Sequence, residues 1–536
     1  MTDQLFAQSS VPCIRPASRR DVLRFGAAAT AAAFLPDIAQ AQTPTVSGRV
    51  TISDDGRAPA PGRQRGLPGV LVSNGVDVVA TDADGHYRMS PGDSGHIFVI
   101  KPAGYALKSD IGTMLPRHYI DIEEGRSFDF FLTKDADPKS FDAILMADPQ
   151  PENHRHLDFI RDGALPQLAR TGAAFGLALG DLVGDELGLL RRYNAIVGQT
   201  GIPWWNAGGN HDLELSAANH RDARAPFRAA YGPATYAFEQ GEALFIVLDN
   251  VCYGGARHHG GDGRYRGRIG ARQLSFIRNL LAHVPREKLI VLCMHIPLRT
   301  EWNPQSVSDN TDDADALLRL LAGRRAISFA GHMHAAEHVY LPAAMNGDRA
   351  EHHHQILAAL SGSWWSGPYD HRGRPVAMGV DGAPPGFHVL QVDGAEYATH
   401  FVPLAQPQQR MRVVLSRCAP CATSGAYVID GPAGKADLPC ELVVNVFDGG
   451  ARTKVRYRLP GGEWQAMARS RRADPFVVDL FADSKVFRHA WVKPEPCEHL
   501  WCAPLNLRSP GLHRMDIEVF DEFGHTIRET QALELA

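Results

Sequence analysis

Five apolar runs in this chain each end in side chains that could bind a metal ion or move a proton. Ala143–Ala147 leads into Asp148-Pro149-Gln150, and Gly176–Leu179 leads into Gly180-Asp181. Pro203–Ala207 is followed by Gly209-Asn210-His211-Asp212, Leu289–Met294 by His295, and Ala326–Ala330 by Gly331-His332-Met333-His334. Each cluster alone is ordinary: Gly180-Asp181 reads as a turn, and a lone His295 as a core histidine. Together and in this order they are a ligand set. Two divalent ions held about 3.5–4 Å apart need roughly seven protein ligands, one of them an anion shared by both. Asp148, Gln150, Asp181, Asn210, His295, His332 and His334 supply that number. The mixture of carboxylate, amide and imidazole suits first-row ions such as manganese, iron or zinc.

The elements that must present these residues follow from the pattern between them. If the five runs are strands, every cluster emerges at a carboxyl edge, where α/β sheets place their ligands. The neighbouring glycines let the backbone turn sharply there. Leu274, Ile277, Leu280 and Leu281 put an apolar face on a helix after Gly270. Thr311-Asp312-Asp313 begins a second helix, carrying Leu317, Leu318 and Leu321. Strands alternating with helices predict a layered α/β domain. On either side the pattern changes to short alternating strands. Gly69–Ser73 runs into the hairpin signal Asn74-Gly75, and Lys454–Leu459 precedes Pro460-Gly461-Gly462. With 536 residues, several domains are expected. The boundaries read as an export signal over 1–41, a β-sandwich module over 42–136, the ligand-bearing domain over 137–405, and an all-β domain over 406–536.

The ordered set Asp148-x-Gln150, Gly180-Asp181, Gly209-Asn210-His211-Asp212, His295 and Gly331-His332-x-His334 resembles the calcineurin-like metallophosphoesterases, in particular an exported bacterial branch with β domains at both ends. The resemblance implies an α/β fold: a layered β-sandwich flanked by helices, between two small all-β domains. It also implies that Asp148, Gln150, Asp181 and His334 hold one ion. Asp181, Asn210, His295 and His332 hold the other, with Asp181 as the bridge. His211 would serve the leaving oxygen. The reaction implied is hydrolysis of a phosphate monoester or diester, in which the two cations activate a bridging water and neutralise phosphoryl charge. Two positions depart from the family pattern. Gln150 stands where the family usually has histidine, and its neutral oxygen favours a harder ion such as manganese. Gly184 stands where the family often has an acid and purple acid phosphatases have an iron-binding tyrosine, which leaves Asp185 as the acid that could support His211.

Composition narrows the setting. With a net charge of -5 and no long basic run, nothing argues for nucleic acid or an anionic membrane as the main partner. Ser18-Arg19-Arg20-Asp21-Val22-Leu23-Arg24, an alanine-rich apolar stretch over Phe25–Leu35, and Ala39-Gln40-Ala41 read in order as a twin-arginine-like export signal. A periplasmic or secreted protein with no integral membrane segment is the expectation. Beyond the signal lie Cys252, Cys293, Cys418, Cys421, Cys440, Cys497 and Cys502. Disulfides are the preferred reading of the C-terminal group, over a zinc knot at Cys418-x-x-Cys421. Trp302, Trp364, Trp365 and Tyr369 lie on loops after metal-site strands, with Trp302 and Trp364 as candidate substrate contacts. His258, His259, His352, His353 and His354 read as surface residues. The substrate would be a small-molecule or envelope-derived phosphate ester. The competing expectation is a glycan-binding protein of the cell envelope with a vestigial metal centre. The sequence does not set the oligomeric state.

Overall fold

The computed structural model describes residues 44–58, 65–123, 127–342, 351–417, 428–429, 440–482, 486–505 and 511–535. The export signal lies outside the described residues, as do Cys418 and Cys421.

Two sheets carry the central region of the chain. The first has the order Trp204–Ala207, Phe175–Leu179, Ser140–Met146, Gly386–Asp393, Glu396–Pro403. Its first three strands are parallel, and the last two are antiparallel additions. The second has the order Tyr236–Gln240, Ala243–Val247, Leu289–Cys293, Ala326–Ala330, Glu351–Ile356, Glu337–Pro342, with four parallel strands at its centre. Three of these central strands are largely apolar runs such as Leu289-Ile290-Val291-Leu292-Cys293, because both of their faces are buried. One hydrophobic core takes Leu145 and Leu177 from the first sheet together with Phe245 and Val291 from the second. A second core lies against Ile144, Met146 and Ala178 of the first sheet, and is filled by helical residues such as Leu157, Tyr193 and Ile196.

The Gly270–Leu281 helix buries Phe276, Ile277, Leu280 and Leu281, the face its apolar spacing marks out. The next helix starts at Ala314, three residues later than Thr311. Asp313 explains the difference. Its carboxylate accepts from the amides of Ile269 (2.8 Å) and Gly270 (2.7 Å), so it caps the preceding helix and not its own.

The N-terminal flanking region is all-β, whereas the C-terminal one, expected to be all-β, also carries the helix Pro475–Ala482, whose Val477 and Phe481 pack against Met378 and Val380. In the N-terminal region, Leu71–Ser73 and Val78–Ala80 pair antiparallel, with Ser73 opposite Val78. The loop is thus four residues long, not the two that Asn74-Gly75 suggests. The Asn74 side chain explains this by accepting from the amides of Val76 (3.0 Å) and Asp77 (2.8 Å). The C-terminal region has a pair of sheets enclosing a core of Val413, Leu442 and Val444 against Val455, Met515 and Ile517. Cys497 and Cys502, which were among the cysteines expected to pair, carry free thiols.

The histidine run is a further correction. His352, His353 and His354 are buried, not exposed, because their strand is internal to the second sheet. His352 and His354 both hydrogen-bond Ser328 Oγ on one face, while His353 meets His338 on the other. His258 and His259 are exposed, as expected.

Candidate metal centre

All five ligand-bearing segments leave the carboxyl ends of parallel strands, three in the first sheet and two in the second. The loops interlock at that edge. The Gly331 amide donates to His295 O (3.0 Å), and the Leu360 amide donates to Ala147 O (2.8 Å). The approach is too close for a side chain at Gly331, where a Cβ would lie 2.5 Å from Asp148 Oδ2.

The backbone is strained where the ligands sit. Ten non-glycine residues have positive φ among the described residues. Eight of them are Asp148, Gln150, Asp181, Asp185, His332, His334, Trp364 and Trp365. Each such conformation costs on the order of 1 kcal/mol or more, and it persists only where the surroundings enforce it. Here the enforcement is local. Both oxygens of Asp148 accept from the His332 amide (3.0 and 2.9 Å), and Asp181 Oδ1 accepts from the His211 amide (2.9 Å).

The side chains converge in two groups. His295 Nδ1–H donates to Leu179 O (2.8 Å). Its Nε2 faces Asn210 Oδ1 (2.9 Å), Asp181 Oδ1 (3.3 Å) and His332 Nδ1 (3.2 Å). Asp181, His295 and His332 together have the spacing of a cation site. In the second group His334 Nδ1–H donates to Gly362 O (2.7 Å), which leaves Nε2 facing Asp148 Oδ1 at 3.8 Å. Gln150, whose amide donates to Asp181 O (3.0 Å), has its Oε1 buried without a hydrogen-bond partner.

These donors fit a divalent ion. Carboxylate, amide and imidazole groups face one another in a buried space, and the Gln150 amide oxygen is buried without a hydrogen-bond partner. Burial at this depth normally requires a counter-charge. Burial, together with the charge on Asp181, pushes the Asp148 carboxyl up. Burial acts in the same direction on Asp181, but the His295 and His211 charges outweigh it and hold that carboxyl well below its usual range. Burial likewise drives His334 down to about 3, so its nitrogen is a free ligand at neutral pH.

His211 stands apart from the donor groups. Its Nδ1 is 2.7 Å from Asp185 Oδ1, so the supporting acid lies four residues after Asp181. Burial opposes protonation of His211, yet Asp181 and Asp185 raise it to about 9. Trp364 stacks on His334 with ring centroids 3.8 Å apart. Trp302 packs into apolar clusters with Met378 and Val380, and with Val443, Cys497 and Leu500.

Several supporting residues escaped the sequence reading. Asp212 is fully buried and accepts from the amides of Gly209 (2.8 Å) and Val183 (3.3 Å), bracing the loops of Asn210 and Asp181. Arg224, equally buried, donates to Gly209 O (2.8 Å) and pairs with Asp249. Asp309 Oδ1 lies 3.7 Å from His332 Nε2. Asp212 was visible beside His211, but nothing in the sequence around Arg224 or Asp309 marks them.

Two family models match the chain. The N terminal of calcineurin-like phosphoesterase matches residues 53–135, and the C terminal of calcineurin-like phosphoesterase matches residues 352–527. No curated protein matches. Among solved structures, a purple acid phosphatase from yellow lupin (Lupinus luteus) seeds aligns at 12% identity over 63% of this chain and 67% of that one, with a TM-score of 0.36. An engineered protein aligns at 10% identity over 73% and 72%, with a TM-score of 0.15. The terminal matches bracket the buried ligand cluster described above, and by them the chain is similar to the calcineurin-like phosphoesterases at both ends.

Proposed function

We propose that this chain is an exported hydrolase of phosphate esters with a dinuclear centre, built on the family's layered β-sandwich between two β domains. The observation that carries the reading is the arrangement of two donor groups around Asp181. Asn210, His295 and His332 meet in one group and Asp148 and His334 in another, while the Gln150 main-chain amide donates to Asp181 O. Two divalent ions bound there would supply Lewis acidity and a water of lowered pKa.

The chain's own residues do the rest. Asp181 offers the shared anion. Backbone donors from His332 and His211 orient the two carboxylates before any ligand arrives. Asp185 accepts from His211 Nδ1–H, which leaves Nε2 to hold the proton needed by the departing alkoxide. The Gln150 oxygen makes manganese the favoured ion over zinc. Export rests on the paired-arginine segment and the small residues at Ala39 and Ala41.

The test is metal analysis of the purified protein, followed by assay of p-nitrophenyl phosphate and its bis-ester with manganese. About two ions per chain and turnover of either ester are expected. Failure on both esters with the ions in place would refute the proposal.

A further inference from the structure

The segment Phe487–Trp491 of the C-terminal family region is linked to the ligand His334 through Trp364. Trp364, stacked on His334, meets Trp491 with ring centroids 6.0 Å apart at 89°. Trp491 is itself backed by His489, whose ring is 4.4 Å away and nearly parallel. The Gly367 amide donates to Phe487 O (2.8 Å), tying the segment to the loop that also holds His334 through Gly362 O. The indole is therefore fixed relative to the metal ligands. Even so, Trp491 is 59% exposed and Phe487 is 64% exposed. A rigidly held aromatic side chain loses little conformational entropy on binding and offers a large contact area.

We propose that Trp491 is the stacking platform for a planar aromatic ring carried by the substrate ester. The inference rests on the phosphoesterase reading and deepens it, because Trp491 is two ring contacts away from His334. The polar neighbours favour a flat apolar ring over a hydroxyl-rich one. His489 Nε2 and Glu152 Oε1 face each other at 3.5 Å, and the exposed side chain beside His489 is the Trp491 indole. The C-terminal region thus completes the substrate site, and Trp491 sets its preference.

The test compares two non-hydrolysable probes, phenylphosphonate and methylphosphonate, by titration calorimetry on the manganese-loaded full chain. Phenylphosphonate is expected to bind roughly tenfold tighter, the scale of one aromatic stack. In Trp491→Ala the preference should fall below about twofold, and in Trp491→Phe most of it should survive. Equal binding of the two probes by the parent protein, no binding of phenylphosphonate, or an undiminished preference in Trp491→Ala would overturn the proposal. Ester hydrolysis measured on the same samples separates the two readings. A phenyl preference lost in Trp491→Ala without turnover of any ester sinks the catalytic reading alone, whereas turnover without a phenyl preference sinks this one alone.

Discussion

Gly331→Ala is the smallest change that tests how the centre is assembled. Gly331 does not have positive φ, so alanine brings no backbone penalty there. The whole effect is spatial. The added Cβ would lie 2.5 Å from Asp148 Oδ2 and 3.1 Å from Ala147 Cβ, whereas ordinary contact begins near 3.4 Å. Relief therefore requires the Asp148 carboxylate to shift by about 0.9 Å, beyond the roughly 0.5 Å that a preorganised site tolerates. Asp148 cannot yield freely, because both of its oxygens are held by the His332 amide. Metal affinity should fall by about 10- to 100-fold, or about 1.4–2.7 kcal/mol, as when the groups that orient a ligand are disturbed. Competition titration with a manganese-sensitive dye measures this, and circular dichroism checks that the variant is folded. Gly373→Ala serves as the comparison. Gly373 has a φ of 72° and nothing within 4 Å of a Cβ, so alanine there should cost only backbone strain and leave metal binding unchanged. A Gly331→Ala protein that binds metal as tightly as the parent would refute the reasoning.

Further outcomes follow from the same geometry. Asp181→Asn should lose more metal and more activity than Gln150→Ala, since it removes the shared anion while a water can replace a neutral amide; equal losses by metal analysis and rate would contradict this. His211→Ala should keep its metal ions and slow alkyl phosphate esters by roughly 10²- to 10⁴-fold, with a much smaller effect on p-nitrophenyl phosphate, whose leaving group needs no proton. Equal losses on the two ester types would show that His211 has another role. Glu337, buried and accepting from Thr300 Oγ1 (2.6 Å) and the Glu301 amide (3.0 Å), has its carboxyl pushed up by burial to about 7 from 4.5. The folded state then holds a proton that the unfolded state releases, so stability should fall as pH rises from 4.5 to about 7. Urea midpoints at pH 5 and pH 8 should show a drop that is smaller in Glu337→Gln, and an identical drop in both proteins would remove Glu337 as its cause.

The sequence by itself determined the order and type of the ligand-bearing segments. Contiguous apolar runs such as Leu289–Cys293 can only be strands buried on both faces or pieces of buried helix, and their short length and polar exits at His295 and Asp181 decide for strands. It also marked the Gly270–Leu281 helix, whose apolar spacing is a local property. What the tertiary structure alone decided is whatever depends on distant segments meeting. The histidines of Glu351–Ile356 carry no apolar signal, yet an internal strand position and the Ser328 hydroxyl bury two of them as hydrogen-bonded groups. Asp313 caps a helix that begins 43 residues earlier, and Asp185 reaches His211 across 26. Trp491 stands beside Trp364 although 127 positions separate them in the chain. Periodicity records which face of an element is buried, because burial repeats with the backbone; a contact between elements has no period, so no local pattern can announce it.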